Sequence, residues 1–294
     1  MKRIKIKSET FTVDRIVSFG CSFSAGTELL DHKLGPFATS KLSYRTNGKK
    51  LHQWYTDIHN DGKYREIMNT NKLYHEPSLA WPSKLAEKLE ICCKNFAQPG
   101  NSNDKLVYQI QKLFNENFFR PTDLIIVGIT SIHRGILFNP KSFTSDPESF
   151  LIAEADSYKK YVNPKFLLDW MSDERLVWQH IQNLSCLQNL KNLLNGRLLC
   201  LNMLPLRIKR HDDIIPLDDL NPSSSKLFYN IDDNFFTPFK LTLEQIYQSR
   251  LFLTKDCFYD MVPDEEQLPF FHPNESAHSK YASWLLNNFF QDLN

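Results

Sequence analysis

Residues Arg15-Ile-Val-Ser-Phe-Gly-Cys-Ser-Phe-Ser-Ala-Gly26 decide how the rest of the chain is read. Ile16, Val17 and Phe19 suit a buried strand, the apolar run stops at Gly20, and small polar residues follow at once. The stretch reads as a strand ending in an exposed serine. Gly20 permits a tight turn, and Ser22 stands where the free backbone N–H groups of the next helix point. Open α/β sheets bind their ligands at such carboxyl ends. A plainer reading of the same residues makes Ser22 and Ser24 caps of the following helix. The two readings part company only farther along the chain.

Working outward, Ser78-Leu-Ala-Trp-Pro-Ser-Lys-Leu-Ala-Glu-Lys-Leu89 predicts a helix with Trp81, Leu85 and Leu89 on one face and Pro82 in its first turn. Ile91 to Ala97 predicts a second strand, broken by Gln98-Pro-Gly100. Asn101-Ser-Asn-Asp104 can cap a helix over about 105–118, striped by Leu106, Ile110, Leu113 and Phe114. Asp123 to Ser131 is almost wholly apolar, as a central parallel strand covered on both faces must be. A long helix over 173–194, a fourth strand over 197–203, a capping box at Thr242-Leu-Glu-Gln245 and an amphipathic helix over 274–290 complete the pattern. Strand-then-helix units in succession predict a three-layer, doubly wound (flavodoxin-like) parallel sheet. Insertions near 31–76, 132–172 and 204–240 leave from the carboxyl side of predicted strands, where they can build a lid over one site. Stretches this long are expected to hold short elements of their own. No repeat and no linker divides the chain, so residues 1–294 read as one domain.

Composition narrows the function. Hydrophobic residues make up 41% and aromatics 13%, with 22 Phe, which favours an aromatic-rich core over disorder. Lys plus Arg number 35 against 34 Asp plus Glu, so the overall charge gives no reason to invoke nucleic acid or an anionic membrane as partner. The basic start, Met1 to Thr10, lacks the apolar region of a secretory signal, and no run approaches the roughly 18 apolar residues of a membrane span. Six cysteines without C-x-x-C spacing read as reduced thiols, with Cys92 and Cys93 unbridged in a covered strand and Cys21 a small packed side chain. His272 and His278 have no metal-binding spacing, so neither a metal nor a cofactor is expected.

Four pieces fall at one edge of the predicted sheet. Ser22 follows the first strand, Gly100 and Asn101 the second, Thr130 and Ser131 the third, and His272 precedes the last helix. A serine, a glycine turn with free N–H groups, a hydrogen-bonding side chain and a histidine are the parts needed for acyl transfer.

In these residues the chain resembles the SGNH, or GDSL-type, hydrolase superfamily, and in particular a divergent branch common in phage and bacterial genomes. Gly20-Cys21-Ser22-Phe23 is similar to its first block, Trp81-Pro-Ser-Lys-Leu85 to its following helix, Asn95 to Asn103 to its second block and His272 to His278 to its last. The resemblance implies a serine esterase or deacylase acting on an acyl ester of a small molecule or glycan. Ser22 would be nucleophile and His272 general base, with Ser22, Gly100 and Thr130 as the oxyanion hole and His278 as a structural companion. Asn101, Asn103, Ser131 and Arg134 are then candidate substrate contacts. With no secretory signal read and the cysteines read as reduced, a cytoplasmic or virion-associated protein is expected. Two departures stand out: Gly128-Ile-Thr-Ser131 replaces a Gly-x-Asn-Asp block, and Pro269 occupies the position of the acid. Asp264, Glu265 or Glu266 can replace that acid, a backbone carbonyl can orient His272, or the pair can act as a dyad. A transferase using the same groups and a non-catalytic scaffold that binds a glycan or joins an assembly remain as alternative readings.

Overall fold

Alternating side chains at the amino terminus build a hairpin that the sequence reading leaves without structure. In the computed structural model, β1 (Lys2–Ile6) pairs antiparallel with β2 (Glu9–Val13), and Ile4, Ile6, Phe11 and Val13 are buried. Lys7 takes a left-handed φ of 53° in the turn. The structure describes residues 1–26, 29, 77–98, 100–132, 173–204, 250–268 and 272–293, with the backbone of four short strands at 135–137, 151–153, 207–209 and 228–230.

The described chain continues through β3 (Arg15–Phe19), a single helical turn α1 (Ser22–Ala25), α2 (Trp81–Lys88), β4 (Cys92–Asn95), α3 (Asn103–Asn115) and β5 (Asp123–Ile129). A short antiparallel pair, β6 (Gly135–Leu137) and β7 (Leu151–Ala153), lies inside the second expected insertion. Then come α4 (Asp173–Leu193), β8 (Leu198–Asn202) and another antiparallel pair, β9 (Arg207–Lys209) and β10 (Phe228–Asn230), inside the third. β11 (Phe252–Cys257) leads through two 3-10 turns, Tyr259–Met261 and Asp264–Glu266, to α5 (Glu275–Phe289) and β12 (Phe290–Asp292), which pairs with β1. The capping box at Thr242 lies outside the described residues.

Five strands form one parallel sheet in the order β11-β8-β5-β3-β4. This is the doubly wound order expected from the sequence, and its direction of winding reverses between β3 and β5. Val17, Phe19, Ile125 and Val127 pack under α3 and α4 with Leu106, Ile110, Val177 and Leu187. On the other face Ile16, Leu124, Ile126 and Leu201 meet Trp81 and Leu85 of α2, Tyr281 and Leu285 of α5, and the amino-terminal hairpin. Coverage on both faces explains why β3, β5 and β8 read as mostly apolar runs. Among the described residues no helix is long and apolar enough to cross a membrane.

Two expectations change. All six cysteines are free thiols, but β4 is an edge strand with Cys92 exposed, not a covered one. Its burial alternates with the pleat because only one neighbour, β3, pairs with it. β11 escapes the sequence reading because its middle, Thr254 to Asp256, is polar and leaves only a short apolar start.

Opposite the carboxyl edge, Arg15 donates to both oxygens of Asp123 at 2.8 and 2.6 Å, and the Arg120 N–H adds a third bond at 2.8 Å. The guanidinium also lies 4.9 Å from the centre of the Phe118 ring. Replacing Asp123 with Ala leaves a mostly buried cation unpaired, so Asp123→Ala is expected to lower unfolding free energy by about 3–5 kcal/mol in urea titrations.

Buried histidines set the acid response. Burial lowers His180 of α4 to a pKa of about 4 and His278 of α5 to about 3. The unfolded chain binds protons on both from about pH 6.5 downward while the fold does not, so stability falls as pH drops. Between pH 6 and 5 the urea midpoint should decline, with each histidine contributing about 1 kcal/mol per pH unit, and His180→Leu should remove about half of that slope.

Candidate active site

Gly20 is required here for space. It lacks a left-handed φ, but a Cβ on it would come 2.5 Å from Ser24 Oγ, and one on Gly128 would come 2.6 Å from the same atom. Ser24 is therefore a wedge between the ends of β3 and β5, and its buried hydroxyl has no hydrogen-bond partner among the described residues. The steric role replaces the expected tight-turn role of Gly20. Nor do the serines cap α1. Its N-cap is Cys21, with no side-chain cap bond, and the helix ends at Gly26, whose φ of 72° lets its N–H reach Ser22 O. Ser22 is the first residue of this turn and is only 5% exposed, so the serine is covered where the sequence reading has it exposed.

The turn after β4 is tied to this serine turn through the backbone. Gly20 O accepts from the Gln98 N–H at 3.1 Å and from Asn101 Nδ2 at 3.0 Å. Asn95 Nδ2 donates to Ser24 O at 2.7 Å. Asn103 closes a two-point clamp on Thr130, accepting its N–H and donating to its carbonyl, both at 2.9 Å. Asn101 and Asn103, expected as substrate contacts, are 0% and 3% exposed, and both brace the backbone of the strand ends. An amide carries the same donor and acceptor as a peptide, and it continues the hydrogen bonding where the strands end. Between these braces Gly100 has a φ of 74°, with nothing within 4 Å of where a Cβ would sit. Thr130 is fully buried and Ser131 half-buried, while Arg134 lies outside the described residues.

His272 reaches the site on a loop closed by its own main chain. Leu268 N–H donates to His272 O at 2.7 Å, Asn274 N–H donates to Glu266 O at 2.8 Å, and Gln267 bridges Pro273. Asn274 then caps α5, its side chain accepting from the Ala277 N–H at 2.9 Å. Of the three carboxylates that could replace the acid, Glu266 is buried and its Oε1 accepts from Ser276 at 2.9 Å and Lys280 at 2.5 Å. Burial raises this carboxyl, but the hydrogen bonds from Lys280 and Ser276 outweigh it and hold the group below its ordinary value. Asp264 and Glu265 are exposed on the same 3-10 turn.

Phe23, the peptide neighbour of Ser22, supplies the contact between serine turn and histidine loop. Its ring centre lies 5.5 Å from that of His272, 5.8 Å from Tyr259 and 6.2 Å from Phe258. His278 is the structural companion that the sequence suggests: it is fully buried, and its Nδ1 accepts the Trp81 N–H at 3.1 Å. That bond caps α2, whose own N-cap residue, Ala80, has no side-chain acceptor. Among the described residues no three His, Cys, Asp or Glu side chains gather as a metal site.

No protein-family model matches the chain, and no curated protein matches it. Among solved structures it is similar to a member of the lipolytic protein G-D-S-L family from Veillonella parvula DSM 2008. Identity is 11%, the match covers 93% of this chain and 97% of that one, and the TM-score is 0.33. The fold itself rests on the strand order and register described above.

The wedge makes a direct prediction. Gly20→Ala should lower stability by about 1–3 kcal/mol in denaturant titrations, because the new methyl overlaps Ser24. Adding Ser24→Gly to Gly20→Ala should return most of the loss, while a double variant no better than the single one would show that the clash is not with Ser24.

Proposed function

We propose that the protein is a serine esterase or deacylase of the SGNH type that hydrolyses an acyl ester of a small molecule or glycan. The observation that carries this reading is the packing of His272 on Phe23, because it links the general base to the residue beside the nucleophile. Ser22 Oγ attacks the ester carbonyl as its proton passes to His272, and the carbonyl π electrons move onto oxygen. Ser22 and Gly100 offer backbone N–H groups that donate to no described residue, and with Thr130 they form the oxyanion hole. Collapse of the intermediate expels the alcohol, which takes the proton from His272. Water, deprotonated by the same imidazole, then releases the acid and restores Ser22. Transfer of the acyl group to another hydroxyl uses the same steps with an alcohol in place of water.

The low exposure of Ser22 favours a second reading, a non-catalytic scaffold of the same fold. A fluorophosphonate probe separates the two. In the esterase, the probe adds to Ser22 and Ser22→Ala abolishes the mass shift, whereas absence of labelling at every pH supports the scaffold. We expect Ser22 and His272 to act as a dyad, their side chains in direct contact at roughly 2.6–3.2 Å or joined by one water. Asp264→Asn, Glu265→Gln and Glu266→Gln should therefore each retain labelling and ester turnover. A fall of about 10⁴-fold in turnover for one of them would identify that carboxylate as the orienting acid.

A further inference from the structure

We propose that Phe23 is the positioning residue of His272, holding the imidazole beside the Ser22 turn and stabilising the imidazolium with its ring. The inference rests on the acyl-transfer reading and adds a group that the reading does not require. Phe23 is buried, and the ring planes of Phe23 and His272 meet at 53° with centres 5.5 Å apart. That spacing is within the range at which an aromatic ring attracts a cation. Phe23 is itself pinned from behind: Phe258 meets it edge-on, stacks on Tyr281 at 4.1 Å and touches His278 at 5.4 Å, while Trp81 meets Tyr281 edge-on. The stack behind the ring thus runs through Phe258 to Tyr281 of α5 and Trp81 of α2.

On the other side, the bonds from Leu268 to His272 O and from Asn274 to Glu266 O fix the main chain that carries the imidazole. Backbone at one end and a pinned ring at the other leave His272 little freedom, and Phe23 and Ser22 share one helical turn. The same ring thus sets where the base stands relative to the nucleophile. Other titratable groups on the surrounding elements are His278, Glu275 and Lys280 on α5, Glu266 bound to Lys280, Asp264 and Glu265 beside it, and Tyr259 and Asp260 after β11. None of them is altered by substituting Phe23.

The test uses the full chain with Phe23→Leu, Phe23→Tyr and, as a packing control, Leu187→Ala of α4. The His272 imidazole is titrated by NMR, its resonance assigned with His272→Gln, and fluorophosphonate labelling of Ser22 is timed across pH. Phe23→Leu should move the His272 titration to lower pH and slow labelling about 3- to 10-fold. Phe23→Tyr, which keeps the ring, should hold both near wild type, and Leu187→Ala, on the opposite face of the sheet, should lower the melting temperature without moving the His272 titration. If Phe23→Leu does not fold, Phe23→Met, which keeps the volume without the ring, is read the same way. A wild-type pKa and labelling rate in the folded ringless variant overturn the inference and leave the esterase reading intact. A wild type that never labels, but whose His272 pKa still falls when the ring is removed, sinks the esterase reading and keeps the Phe23 contact.

Discussion

Where parallel strands end, their backbone runs out of neighbours, and in this protein asparagine amides take over. Asn103 pairs with both peptide groups' atoms of Thr130 at the end of β5, and Asn101 donates to Gly20 O at the end of β3. Asn95 holds Ser24 O from β4. Three strand ends are thus joined without any strand crossing them. Buried backbone groups left unpaired would cost free energy comparable to a lost hydrogen bond each, so these amides are what allows the edge to be both irregular and ordered.

Sterics supply the second constraint. Gly20 and Gly128 are small because Ser24 fills the gap between them, and Gly128 also gives way to Met203. The serine turn consequently sits directly over the reversal point between β3 and β5, where α/β sheets open a crevice. Packing and hydrogen bonding act here on the same few atoms. The amides fix heights along the strands, and the wedge fixes the separation between them.

The histidine side of the site is built differently. Its loop owes its shape to two main-chain bonds and to the latch between Glu266 and Lys280, with aromatic rings filling the space behind it. His278 links that assembly to α2 by accepting the Trp81 N–H, so the helix that carries Trp81 and the helix that follows His272 are held together at their amino ends. Burial keeps His278 neutral, and a neutral ring is what this acceptor role needs.

Much of the sheet was legible in the chain itself. The runs at Arg15–Phe19, Asp123–Ile129 and Leu198–Asn202 read as central strands because burial on both faces favours apolar residues at most positions, the polar exceptions Arg15 and Asp123 being paired with each other. Helical periodicity gave α2, α3 and α5, and the order of Ser22, Gly100, Thr130 and His272 along the chain placed them at strand ends or before the last helix. Local pattern found β4 but not its place at the sheet's edge, and it missed the other edge strand, β11. It also failed at the amino-terminal hairpin, which closes against β12 from the other end of the chain. Residue identity alone could not tell Asn101 and Asn103 from substrate ligands, nor show that Gly20 answers to Ser24, nor pair Phe23 with His272. Those facts depend on which distant atoms meet, and hydrogen bonds and steric contacts act over a few ångströms in space regardless of separation along the chain. Sequence by itself determined the layers of this protein and the edge that carries its polar residues; only the tertiary structure decided which of those residues brace the edge and which stand beside one another.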